Sequence, residues 1–325
     1  MHKISSQDFT FLQRVAMEFD NKEALERYLK EHPKANRNRH TVKKSPDVKA
    51  PETKSDNLES VPKQFREHVK GYNLDVVGED YAQAAEIAKK ISEGIDKSAD
   101  ICKLRPAVCE GNLGLSRDKM PQIPGDMSIK EMLSAVKMKP IDKNDPTKGE
   151  KPVDCDGNFV SRSKACPDEA TRAKGKAAVD AGADPNDNRS VLHRMLETFK
   201  KEGVEIKKDS VEVGKLKATQ SEIKAGKSFG MADAHLKGKF PNIGDQIVIS
   251  SDGHILDGHH RWAALLTIDP SRKMNVIRVG IPMKEMLKRA DELPGVYRED
   301  FQGKPIDLPA DIKKRKEKYL KRRAK

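Results

Sequence analysis

The chain has 325 residues, 36% of them hydrophobic, 35% charged and only 5% aromatic, with a formal charge of +12. That apolar fraction lies below the globular norm of roughly 45–50%, which argues against one packed globule over the whole length and predicts modest cores joined by polar segments. No run approaches the roughly 18 apolar residues of a bilayer span, and MHKISSQDFTFLQRVAMEF has no apolar leader stretch, so a soluble, cytoplasmic, non-secreted protein with no membrane partner is expected.

Residues 1–32 read as a helical hairpin. Phe9, Leu12, Val15 and Phe19 recur at helical spacing behind Ser5 and Ser6, and NKEALERYLKEH stops at Pro33. Residues 33–61 are polar and proline-bearing, the composition of a disordered linker. Residues 62–203 form a helical region with turn-rich loops. Its clearest helix, 79–95, places Tyr81, Ala84, Ile87 and Ile91 on one face. The segment 102–126 is rich in proline and glycine and carries no assigned chemistry; a docking or interdomain loop is its default reading. Ser128 caps a short helix, 139–166 is a lysine-rich loop, and two helices follow at 168–181 and 188–202. His193 on the last of these reads as a surface or capping histidine.

The character changes near 204. VEIKKDSVEVGKLK alternates with period two, and QIVIS and HILDG flank an Asp252-Gly253 turn as a hairpin would. A helix is expected over 258–269, a strand over 274–281 and a helix over 282–293. The glycines at 226, 230, 238 and 244 are not spaced as a phosphate-binding loop. The domains expected are therefore 1–32, 33–61, 62–203, 204–295 and a basic tail at 296–325.

Charge and cysteine carry two further expectations. Segments 33–54 and 311–325 hold seven and nine Lys/Arg against two carboxylates each, which leaves the rest of the chain balanced. Such arms touch nucleic-acid backbones without reading sequence, or remain solvated tails. Cys102, Cys109, Cys155 and Cys166 show no CxxC pair, and their even number permits disulfides; in a chain without a leader they read as free, reduced thiols, with disulfides or a metal site as the lesser alternatives.

One segment concentrates chemistry. In SSDGHILDGHHRWAALL (250–266) a strand ends near Leu256, Asp257-Gly258 turns, and His259, His260 and Arg261 open a helix. A helix N-terminus offers unpaired amides and a positive dipole end, glycine admits a ligand to the backbone, and guanidinium can chelate two phosphate oxygens. Asp257, or secondarily Asp252, could act as a base; a turn or capping role is the plainer reading of Asp257. His254, His259 and His260 with Asp257 form a weaker metal-ligand alternative, because adjacent helical residues point about 100° apart.

The run DGHHRWAA after IVISSDGHIL resembles the ParB/sulfiredoxin-like superfamily, in its phage or mobile-element branch labelled ParB-like nuclease. VEVGKLKATQSEI (211–223) resembles the opening strand and loop of that family. The resemblance implies an α+β protein: a small mixed α/β domain near the C-terminus, preceded by a mostly helical half with disordered linkers. It implies nucleotide binding through Gly258, His259, His260 and Arg261, with Lys217, Thr219 and Gln220 reaching in from the first loop. Asp257 would be catalytic, and ATP or another nucleotide with Mg2+ the cofactor. Sulfiredoxin chemistry is not implied, since His259 stands where that enzyme has its cysteine. Partition-protein activity is not implied either, since that position there is typically a glutamate followed by two arginines. The function expected is nucleotide binding, with phosphoryl transfer or hydrolysis coupled to it. A non-catalytic phage structural or DNA-associated protein and a nuclease are the alternatives, and the helical half would bind a protein partner.

Overall fold

The computed structural model describes residues 58–96, 99–104, 106–141, 149–245 and 247–323. The helical hairpin expected at 1–32 and the basic linker segment 33–54 lie outside the described residues. Residues from Asp56 onward belong to a single compact unit.

The fold is α+β. Helices α1 (Arg66–Val69), α2 (Leu74–Val77), α3 (Tyr81–Glu93) and α4 (Ile101–Leu104) come first. Then follow α5 (Ile129–Leu133), a hairpin of β1 (Met138–Pro140) and β2 (Glu150–Pro152), α6 (Glu169–Asp180) and α7 (Val191–Lys201). Strands β3 (Ile206–Glu212) and β4 (Lys217–Ala218) lead to α8 (Ala225–Leu236). After it run β5 (Ile247–Ser250), β6 (His254–Asp257), α9 (His259–Ile268), β7 (Lys273–Val279) and α10 (Met283–Glu292). The chain closes with a small hairpin of β8 (Arg298–Glu299) and β9 (Pro305–Ile306), then α11 (Ala310–Arg323).

Local signals explain most of these elements. Ser128 accepts from the Glu131 amide while Glu131 accepts from the Ser128 amide, a complete capping box that starts α5. Asp80, Asp168 and Ser190 cap α3, α6 and α7 in one direction, each side-chain oxygen accepting from an orphan amide. Helix α8 has no side-chain cap and contains Gly226 and Gly230, which is why its sequence gave no helical signal. Burial of Phe229, Ala232 and Leu236 holds it instead.

The five-stranded mixed sheet has the order β3-β7-β5-β6-β4. β3 pairs antiparallel with β7, β7 parallel with β5, β5 antiparallel with β6, and β6 parallel with β4. All four residues of β5 are buried, as expected of a central strand covered on both faces. Period-two geometry then sorts its side chains: Ile247 and Ile249 join one hydrophobic cluster and Val248 the other. The first cluster includes residues of α3, α8 and α9, and reaches back to Val61 and Val69. The second includes residues of α5, α7 and α10. Residues 61–108 thus share a core with the sheet.

Several expectations change: the loop expected at 139–166 contains most of the β1–β2 hairpin, and the linker expected to run to 61 is ordered from Leu58, with Val61 buried. The cysteines are not free: Cys102 pairs with Cys109 and Cys155 with Cys166, with Cα atoms 5.4 and 4.8 Å apart. The spacing rule sought metal pairs, whereas turns bring each pair within disulfide reach. The basic tail is also not a bare tail, because residues 310–323 form α11, with Ile312 and Lys316 buried.

Candidate functional site

The turn after β6 is shaped by one glycine. Gly258 has φ +100°, and a Cβ there would collide with the side chain of Ile247. Glycine is therefore required for the chain to leave the central sheet and enter α9 at this angle. Trp262, 1% exposed, anchors the helix from below, its indole N–H donating to the Val213 carbonyl at 3.0 Å. The first intrahelical bond runs from the Trp262 amide to the Gly258 carbonyl, and no side chain caps the helix. The opening amides of α9 lie beside a cavity of about 550 Å³ whose wall includes His259, His260 and Arg261.

Both imidazoles are neutral. His259 is buried and its Nε2 accepts from the Thr219 amide at 3.1 Å. Burial, reinforced by Arg117, pushes its pKa down to about 3. Burial also pushes His260 far below the ordinary histidine range, with Lys227 the largest charged contributor. His260 Nε2 is buried with no hydrogen-bond partner among the described residues. These rings supply hydrogen-bonding atoms, not the positive charge that the adjacent pair suggests on paper.

The cations come from elsewhere. Arg261 Nη1 donates to the Asp245 carbonyl, and its Nη2 stands 3.8 Å from Asp257. Lys227 on α8, Lys174 on α6 and Arg117 complete the ring. Burial lowers the Lys227 pKa, with Arg117 and Lys174 adding to it and Asp126 and Asp257 opposing. Arg117 and Lys174 both reach the buried Glu299 at 3.2 Å, and Glu299 also accepts from the Tyr297 hydroxyl at 3.1 Å. Asp257 and Asp126 are the remaining carboxylates on the wall. Partial desolvation at the cavity wall raises the Asp257 pKa from the ordinary carboxylate value, against the pull of Arg261. A carboxylate whose pKa is raised is a stronger base than an ordinary one.

The turn-rich segment 102–126 has a clear structural role. The Leu113 and Leu115 amides donate to the Ala218 and Thr219 carbonyls, and the Ser221 amide returns to Leu115. The Asn112 side chain brackets the same strand, accepting from the Ala218 amide at 2.8 Å and donating to the Gln220 carbonyl at 3.3 Å. Farther on, the Gln122 amide donates to the Tyr297 carbonyl and the Leu192 amide to the Pro124 carbonyl. The segment is thereby fixed on three sides, and it supplies Arg117 and residues 121–126 to the cavity. Nothing local in the sequence announces this, because every one of these bonds is long-range.

The expected site residues separate into two groups. Asp257, Gly258, His259, His260, Arg261 and Gln220 line the cavity together. In the orientation that satisfies both ends of its amide, Gln220 accepts from Arg117 Nη1 at 2.9 Å. Thr219 is fully buried behind the wall, its hydroxyl donating to the Ile255 carbonyl at 2.6 Å. Lys217 is exposed and its chain lies along Gly111, off the cavity wall. Asp252 is off it too, accepting from the Met283 amide at 3.1 Å at the start of α10. His193 is exposed and pairs with Glu197 at 3.3 Å. Among the described residues no group of three or more His, Cys, Asp or Glu is placed to hold a metal ion. No helix among the described residues is long and apolar enough to cross a membrane. No protein-family model matches the chain, and neither the curated proteins nor the solved structures contain a match to it.

Proposed function

We propose that the cavity beside α9 binds the phosphate end of a nucleotide, and that Asp257 takes the proton of a hydroxyl or water attacking the terminal phosphorus, while the P–O bond to the next phosphate breaks and the shortened nucleotide leaves with that electron pair. The observation that carries this reading is the uncapped N-terminus of α9 opening on a cavity ringed by Arg117, Lys174, Lys227 and Arg261. Amides, guanidinium groups and ammonium groups are the donors that phosphate oxygens take. The apolar part of the wall, with Ile123, Met127, Met231 and Phe240, offers a surface for a base or another flat group. The resemblance of 257–264 to the ParB/sulfiredoxin-like superfamily points to the same chemistry.

Asp257 faces the cavity, and its raised pKa suits a proton acceptor. Lys227 and Arg261 would hold the phosphate oxygens, and His260 Nε2 would donate to or accept from a ligand group without carrying charge. Magnesium binds through one or two carboxylates plus phosphate oxygens, and Asp126 on the wall would be the carboxylate to hold it, leaving Asp257 as the base. The ion would neutralise phosphate charge there.

The test is calorimetric titration with ATP, CTP and ADP, with and without Mg2+. Lys227→Gln and Arg261→Ala should each weaken the bound nucleotide about 10- to 100-fold, the loss of one charged hydrogen bond. Unchanged affinity in both variants would overturn the site. Binding without turnover, equal in wild type and Asp257→Asn, would leave a nucleotide-gripping scaffold and remove the catalytic step.

A further inference from the structure

We infer that α11 presents an ordered cationic ridge, made by Lys314, Lys318, Lys321 and Arg322, that seats the phosphate backbone of a nucleic acid. The inference is independent of the cavity. It rests on how the fold divides the charges of this helix.

One group of cations is consumed in docking. Lys316, 5% exposed, donates from Nζ to the carbonyls of Leu293 and Val296, just past the end of α10. Arg315 stands within 4 Å of three carboxylates, Asp291, Glu292 and Asp311. Lys313 faces Asp307 at 3.7 Å. Ile312 is buried, Tyr319 half-buried, and Leu320 touches the Gly182 position. These contacts fix the rotation of the helix about its axis.

The second group is left facing outward. Lys314, Lys318, Lys321 and Arg322 are all exposed, and among the described residues none has a carboxylate within 4 Å. At about 100° per residue they fall within an arc of about 100°, opposite Ile312, Lys316 and Tyr319. Along the axis they extend over about 12 Å at 1.5 Å per residue, the rise of three or four nucleotides in one strand. Two carboxylates border the ridge against its four cations: Glu317 on its flank, and Asp311, which stands 3.6 Å from Arg315, one turn before Lys314.

Composition selects the partner. Protein–protein interfaces are depleted in lysine and depend on buried aromatic or apolar anchors, which this ridge lacks. Lysine spaced along a rigid rod is suited to phosphate contacts that carry no sequence information. A flexible tail could offer the same charge, but a docked helix offers it already ordered, at lower entropic cost.

The experiment uses the full chain and a mixed-sequence 24-base-pair DNA duplex, with affinity measured from 50 to 300 mM salt. Replacing Lys314, Lys318, Lys321 and Arg322 together by Gln should lower affinity at least tenfold at 100 mM salt. The slope of log K against log salt should become shallower by about 3 to 4, since each lost phosphate contact removes about 0.9. Lys313→Gln, a cation already paired, should change neither quantity. An unchanged thermal midpoint in the fourfold variant would show that α11 still docks, and Lys318→Glu with Lys321→Glu serves as a second variant if that midpoint falls. Unaltered affinity and slope would overturn the proposal, as would preferential binding of poly-glutamate of equal charge.

Discussion

At the scale of single residues, His259 and His260 teach the main lesson of the site. Two histidines and an arginine after a strand and a DG turn lie together on a cavity wall, but the charge that they suggest on paper is not the charge they carry there. Charge on an imidazole depends on solvation, and both rings are packed where protonation is disfavoured. The consequence is measurable. The folded chain refuses protons that the unfolded chain accepts once pH falls below about 6.5, so stability should fall with pH from there toward about 3. The raised carboxyl of Asp257 acts in the opposite direction, taking a proton in the folded state first. Comparing variants separates them: between pH 5 and 6.5, denaturation of His260→Gln should show a shallower loss than wild type. An identical slope would mean that His260 is protonated in the fold. Position 258 was equally legible for a simple reason: only glycine tolerates that dihedral angle against Ile247. Lys227 was not legible, because its relevance depends on where α8 lies.

At the scale of elements, 204–295 could be read from its own pattern. Period-two alternation, the DG turn and the Pro282 helix start gave β3, β5, β6, β7, α9 and α10 within a few residues of their observed bounds. Helix α8 escaped because glycines interrupt it and no cap marks it. The segment 102–126 escaped because its order is borrowed from partners 70 to 180 residues away. It is also stapled at its start by the Cys102–Cys109 disulfide, seven residues apart. Opening that bond frees the stretch leading to Asn112 and Arg117, and should weaken the proposed nucleotide binding several-fold while lowering global stability by about 2 to 3 kcal/mol, the loop-closure entropy that so short a loop removes from the unfolded chain. Titrating Cys102→Ser/Cys109→Ser against wild type checks this; equal affinities would show that the hydrogen bonds alone hold the wall. Disulfides persist in oxidising compartments, so the expectation of a cytoplasmic protein loses its premise of reduced thiols.

At the scale of the whole molecule, the C-terminal helix closes the structure through a buried lysine. Burial pushes the Lys316 pKa down to about 8. The unfolded chain therefore binds a proton that the folded chain has released between about 8 and 10.5, and stability should rise with pH through that window. Tyr72 and Tyr297, whose burial beside carboxylates pushes their phenols up, give the opposite trend above about 10. In Lys316→Met the gain from pH 8 to 9.5 should shrink, read by denaturant midpoint; a gain of full size would assign it to another group.

The sheet's two margins are closed by different means. On one side β4 is only two residues long and is overlaid by 112–115, which take up its neighbouring amides and carbonyls. On the other, β3 turns Lys207, Lys208 and Ser210 to solvent along a run that would otherwise invite a further strand. A second copy approaching either margin meets a blanket of chain or a pair of ammonium groups, so neither margin of this sheet is an easy template for a further strand.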